Sequence, residues 1–209
     1  MTFTLVKENA AQICIDSHAA DYKGLKHVAK ILTGDILTVT GKEPEIVEQI
    51  QKVPQIVAAT KGTSDILAKW EEEKKIDLSV LEGKREVFTV QMIEEDGAEK
   101  LVIAGTETIA TLYGLYYISE NIGVSPWVYW ADVVPAQKEE IVFDESICTV
   151  SKEPSVRYRG FFMNDEWPSL GNFVMNTFGD FNEFFYEKVF DLLLRLKGNY
   201  FWPAMWSAS

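Results

Sequence analysis

Cysteine and histidine are almost missing from this 209-residue sequence, with two of each. Cys14 lies in an apolar run and Cys148 is far from it, a spacing that offers neither a zinc site nor a disulfide framework, so a reducing compartment fits. His18 and His27 have no cysteine or carboxylate at ligand spacing, and surface or packing roles are expected rather than a metal site. Basic residues are also scarce: 20 Lys and Arg face 32 Asp and Glu, for a net charge of -12. With no basic run, such a chain is repelled by phosphate backbones and anionic lipid, which argues against nucleic acid and membrane surfaces as partners. The same acidity is ordinary for solubility and does not name a substrate. No apolar run reaches about 18 residues, and the first residues lack the basic segment, apolar stretch and small-residue site of an export signal. A soluble, cytoplasmic protein is the expectation. A glycine-rich phosphate loop and a Gly-x-Ser-x-Gly elbow are absent too, which argues against a nucleotide fold and a serine hydrolase, and no cofactor is expected.

What is present is apolar material for one ordinary core and part of a second: 47% of the residues are hydrophobic and 12% aromatic. Residues 3–7, 12–16 and 55–60 read as strands, and 22–40 as a helix whose Leu25, Val28, Ala29, Leu32 and Ile36 share one face. Ser64 is placed to cap a short helix ending near Trp70, and the mixed charges at 71–75 read as its solvated face. Residues 86–93 and 100–104 flank Asp96-Gly97 as a hairpin, and Thr106 opens a helix that Gly123 stops. Strands alternating with helices and closed by an antiparallel pair predict a mixed sheet covered by helices.

The polar, proline-containing stretch 151–155 marks a boundary, giving an α/β domain over 1–152 and a second unit over 153–209. In the second unit, 156–163 reads as a strand that ends on Asn164, Asp165 and Glu166. A helix follows, capped near Asp180 and Glu183 and burying Phe185, Val189, Leu192, Leu193 and Leu196. Residues 199–205 form a further strand. Strand, loop, helix, strand is the repeat of a doubly wound sheet or a barrel, and with no phosphate loop the barrel is the better reading.

Two stretches are more specific than this patterning. Residues 112–135 read LYGLYYISENIGVSPWVYWADVVP, and residues 158–206 open with YRGFFMNDEWP and close with KVFDLLLRLKGNYFWPAMW. Both resemble glycoside hydrolase family 115. The resemblance implies an N-terminal α/β domain followed by a (β/α)8 catalytic barrel, here truncated after its first βαβ unit. It also implies hydrolysis of the α-1,2 bond that joins glucuronic acid, or its 4-O-methyl ether, to xylose in glucuronoxylan, with inversion. Glucuronoxylan or aldouronic acid oligosaccharides are then the expected partners. Trp167, where the family has a small residue, and the shortened 169–177 depart from the family pattern, so the first barrel loop is expected to differ in shape.

Barrel active sites lie at the C-terminal ends of the strands, which makes Asp165 the catalytic candidate. Asn164 and Glu166 are the candidate substrate contacts beside it, and Trp206 is a candidate stacking surface for a sugar ring. The competing structural reading is that Asp165 or Glu166 caps the following loop. Trp127, Tyr129 and Trp130 read as an interface cluster in preference to a carbohydrate platform. The fragment itself is expected to be inactive. Two other functions stay open: a noncatalytic carbohydrate-binding or docking module, and another barrel glycosidase such as a hexosaminidase.

Overall fold

The computed structural model describes residues 1–203. Ten strands and five α-helices follow in chain order: β1 (Phe3–Val6), β2 (Gln12–Cys14), α1 (Tyr22–Thr40), β3 (Ile46–Val47), β4 (Gln55–Thr60), α2 (Asp65–Glu72), β5 (Phe88–Glu95), β6 (Ala98–Gly105), α3 (Thr108–Ile122), β7 (Ile141–Phe143), β8 (Thr149–Val150), β9 (Gly160–Met163), α4 (Ser169–Phe178), α5 (Glu183–Arg195) and β10 (Tyr200–Pro203). The main sheet has the order β3-β2-β4-β6-β5-β8. Its first four strands are parallel, and β5 and β8 close it antiparallel. The fold is therefore mixed α/β around a mixed sheet.

Its central strands are near-continuous apolar runs because both faces are covered. Ile13, Ile56, Ala58, Leu101 and Ile103 point into one core, which the apolar stripes of α1 and α3 complete. Their neighbours Cys14, Val57, Ala59, Val102 and Ala104 point into a second core, closed by Leu67 and Trp70 of α2 and by Leu81. A one-residue slip in register would exchange the two sets, so the alternation fixes the register. Burial and the nearby Asp16 carboxylate push the Cys14 thiol up to about 12, which leaves it an inert packing group. The hairpin turn needs two left-handed residues, and Asp96 (φ 53) and Gly97 (φ 80) supply them.

Several local expectations change in three dimensions. β1 does not join the main sheet; it pairs with β7 in a separate two-stranded ribbon. Helix α3 starts at Thr108, capped by extended Glu107, because Gly105 must pass close to Thr111 and Thr106 still bonds back to Val87. The loop expected after β9 contains α4. Helix α5 is capped by Asn182, whose Oδ1 accepts from the amides of Phe184 and Phe185, and Leu196 is exposed just past its end.

The last part of the chain is thinner. β9 and β10 pair in parallel, Gly160 opposite Tyr200 through Met163 opposite Pro203. One face of the pair, with Phe161, Met163 and Phe201, packs on α4 and α5 around the fully buried Val174, Phe185 and Val189. The other face carries Phe162 and Trp202, which are 56% and 52% exposed.

Candidate active site

β9 delivers three polar residues in succession at its C-terminal end. The exposure alternation of the strand continues through them: Asn164 and Glu166 are exposed, like Phe162, while Asp165 is half-buried, like Phe161 and Met163. Asn164 and Glu166 therefore share the open side of the strand pair, and Asp165 turns toward the helices. Its Oδ1 is sealed from solvent and accepts no hydrogen bond among the described residues. The Asp165 charge, second to burial, helps hold the Tyr186 hydroxyl of α5 above its usual range. Tyr186 is itself fixed by rings on three sides: Phe185 at 5.0 Å, Phe190 stacked at 6.1 Å and Phe201 edge-on at 6.1 Å. A buried acceptor with no donor is costly and uncommon, which makes Asp165 the outlier of this loop.

The loop that follows is tightly built. Trp167 and Pro168 are joined by a cis peptide, and the Gly171 amide donates to the Glu166 carbonyl at 3.1 Å. The Trp167 ring covers Gly171 so closely that a β-carbon there would lie 2.7 Å from it. Trp206 lies outside the described residues. Trp202 presents its ring on the open face, edge-on to Phe162 at 6.3 Å. Trp130 is an interface residue as its cluster suggested: its Nε1 donates to the Lys188 carbonyl at 3.1 Å, and its ring packs on Phe173 and Phe185. Trp127 and Tyr129 stay exposed. His27 faces Glu187 at 3.7 Å on the surface, and among the described residues no three His, Cys, Asp or Glu side chains converge as a metal site would require.

Sequence reasoning missed the two polar clusters that hold α5 and the strand pair against the main sheet. In the first, the Arg195 guanidinium, almost fully buried, reaches Asp35 of α1 at 3.0 Å and Asp191 at 2.9 Å. Ser119 donates to Asp35 at 2.6 Å and accepts from Arg195 at 3.0 Å, and the Tyr116 hydroxyl donates to Asp191 at 2.8 Å. In the second, Arg159 pairs with the buried Glu86. Asn199 also donates to Glu86, at 3.0 Å, and the Tyr113 hydroxyl donates to the Gly198 carbonyl at 3.0 Å. This second cluster sits at the N-terminal ends of β9 and β10, opposite Asp165. One signal was available: Asp35 falls on the apolar stripe of α1, between Leu32 and Ile36, where a lone carboxylate demands a partner.

Residues 151–209 match the sequence model described as glycosyl hydrolase family 115. Over 97% of its length the chain also overlays a solved family GH115 4-O-methyl-alpha-glucuronidase, BtGH115A, at 34% identity and a TM-score of 0.80. The chain belongs to glycoside hydrolase family 115. It spans about a quarter of that relative's length, 26%. With 97% of this chain inside the overlay, the family 115 likeness takes in both the mixed-sheet region and the strand pair that carries Asp165. A second solved structure, that of CpGH84D, is 12% identical with a TM-score of 0.46 over 78% of this chain and 23% of its own. No curated protein matches the chain.

Proposed function

We propose that the chain is the leading part of an α-glucuronidase that removes α-1,2-linked glucuronic acid, or its 4-O-methyl ether, from a branched polysaccharide. In this reading residues 1–152 form an α/β domain, and 153–209 begin a (β/α)8 barrel whose first two strands are β9 and β10. Support comes from the parallel pairing of these strands with helices between them, and from carboxylates gathered at a C-terminal strand end, where barrel enzymes keep their chemistry. The observation that carries the reading is Asn164-Asp165-Glu166 at the end of β9 in a chain 34% identical to a 4-O-methyl-alpha-glucuronidase.

Inverting hydrolysis needs one carboxylic acid to protonate the leaving oxygen and one carboxylate to activate water, about 6.5–9.5 Å apart. Asp165 is proposed as one of the two, its half-buried carboxyl group turned toward the helix wall. Asn164, Glu166 and Trp206 are proposed as substrate contacts. Asp165 and Glu166 face opposite sides of the strand, so they do not form the pair. The partner carboxylate is assigned to a part of the enzyme that this chain does not span, and the 209 residues alone are proposed to be inactive.

Glucuronoxylan and its aldouronic acids are the first substrate reading. Decorated arabinogalactan is the second, favoured by the stated specificity of BtGH115A. The full-length protein, supplied with aldouronic acids and with arabinogalactan, is expected to release glucuronic acid or its methyl ether. Proton NMR of the first product anomer would read inversion directly. Release of N-acetylhexosamine in place of glucuronic acid, or no release from either substrate, would sink this assignment.

A further inference from the structure

Trp130 is seated in the α4–α5 core, yet it also forms one wall of an open cleft of about 520 Å³, lined besides by Tyr129, Asp132, Ser169, Leu170 and Phe173. We infer that this cleft is a second saccharide-binding site, taking a pyranose ring of the polysaccharide main chain near the scissile branch. The inference rests on the carbohydrate-active reading above.

The cleft is walled by aromatic rings at different inclinations. Tyr129 meets Trp130 edge-on at 5.2 Å and 89°, and Phe173 tilts against Trp130 at 6.1 Å and 46°. A pyranose offers a face of C–H bonds that rests on such rings and a belt of hydroxyls around it. The Asp132 carboxylate supplies acceptors for that belt, and the Ser169 hydroxyl supplies a donor and an acceptor. Apolar walls with a few convergent polar groups are the general composition of small-molecule sites. The Lys188 ammonium lies 5.5 Å from the Tyr129 ring centre, which helps hold that ring in place while leaving it 38% exposed.

Position ties the cleft to the strand end. Ser169 comes four residues after Asp165, and that stretch of chain spans at most roughly 14 Å. A polysaccharide seated on Tyr129 and Trp130 thus passes within a few sugar rings of Asn164 and Glu166. Arrangement and reach together give the cleft a use that a plain packing surface lacks.

Affinity electrophoresis of the full-length protein in gels holding soluble glucuronoxylan or arabinogalactan measures this binding without reference to turnover. The parent is expected to be retarded by at least one polymer. Tyr129→Ala and Asp132→Asn should each weaken that binding about tenfold, the scale of one lost aromatic or hydrogen-bonding contact. Both should hydrolyse a glucuronosyl disaccharide, too short to reach the cleft, at the parent rate. Trp127→Ala removes an exposed ring that does not line the cleft and should leave retardation intact. Asp132 is exposed, so its variant stays informative even if Tyr129→Ala folds poorly. Parent-like retardation of Asp132→Asn and of a folded Tyr129→Ala, equal loss in Trp127→Ala, or no retardation of the parent would overturn the cleft. Retardation without disaccharide hydrolysis would instead defeat the enzymatic reading and leave the cleft standing.

Discussion

The main-sheet region and the strand pair after it treat most of their aromatic residues in opposite ways. Before position 150, Phe3, Trp70, Phe88, Tyr113 and Tyr116 are buried between a sheet and its helices. After position 155, Tyr158, Phe162, Trp167, Phe184, Tyr200 and Trp202 are all exposed, although β9, β10 and α5 are as regular as their counterparts. The difference is in layers. A six-stranded sheet covered on both faces closes its cores, whereas two strands covered on one face leave the other bare. Fully burying one large apolar side chain contributes about 1.5–3 kcal/mol, so the second region, with fewer such side chains, has the smaller core of the two. It is also tied to the first region, by buried charge through Arg195 and Arg159 and by the Trp130 ring packed into its core. Secondary structure and local stability are thus separate achievements in this chain.

The sharpest way to break this comparison is to remove the anchor. Arg195→Met leaves the buried Asp35 and the half-buried Asp191 without their charge partner and should cost about 3–5 kcal/mol. Urea unfolding should show β9, β10 and α5 melting ahead of the main sheet; an unchanged single transition would mean that apolar contact alone joins the two regions. The next effect is on chemistry. Asp165→Asn in the full-length enzyme should lower kcat by about 10²-fold or more, the usual contribution of a positioned proton transfer, and leave Tm unchanged. A near-normal kcat with a lowered Tm would make Asp165 a loop-packing group.

Gly160→Ala is a smaller test confined to the strand pair. A β-carbon there collides with the Tyr200 carbonyl on the neighbouring strand, and overpacking of this kind costs about 1–3 kcal/mol. Gly34→Ala in α1 has open space and should be neutral or stabilising by up to about 1 kcal/mol. Equal responses in thermal melts would contradict the packing described for β9 and β10.

The smallest effect concerns the main-sheet region and pH. Lys75, with help from Trp70 and Lys69, holds the Glu95 carboxyl at about 2, against an ordinary value of 4.5. Because the folded value lies below the unfolded one, the stabilisation is complete above pH 4.5 and is lost as pH falls toward 2. The partners Lys69 and Lys75 are 57% and 36% exposed, so solvent screening reduces the contribution to roughly 1–2 kcal/mol. Glu95→Gln should flatten that part of the acid-denaturation curve; an unaltered curve would assign the acid loss to other carboxylates.

Much of this was legible in the sequence. The stripe in α1 predicted its span because Leu25, Val28, Ala29, Leu32 and Ile36 recur at helical spacing, and Gly41 beyond it takes the left-handed cap at φ 72. The hairpin followed from Asp96-Gly97. α4 was missed although Leu170, Phe173, Val174 and Phe178 recur at helical spacing, because the segment opens on Pro168, which caps without a side-chain hydrogen bond, and has Gly171 in its first turn. The candidate site was half legible: Asn164, Asp165 and Glu166 could be put at a strand end, but the side each faces depended on where β9 stops.

By itself the sequence determined the segments and their alternation, because backbone hydrogen bonding and the periods of helix and strand are settled over a few neighbouring residues. Tertiary structure alone decided which segments meet. It brought Arg195 to Asp35 across 160 positions, sent β1 to β7 instead of the main sheet, and turned Asp165 toward Tyr186 while Asn164 and Glu166 stayed in the open. The physical reason is that a buried charge or an unpaired strand edge sets a demand locally, while the partner that meets it is chosen by how the layers pack.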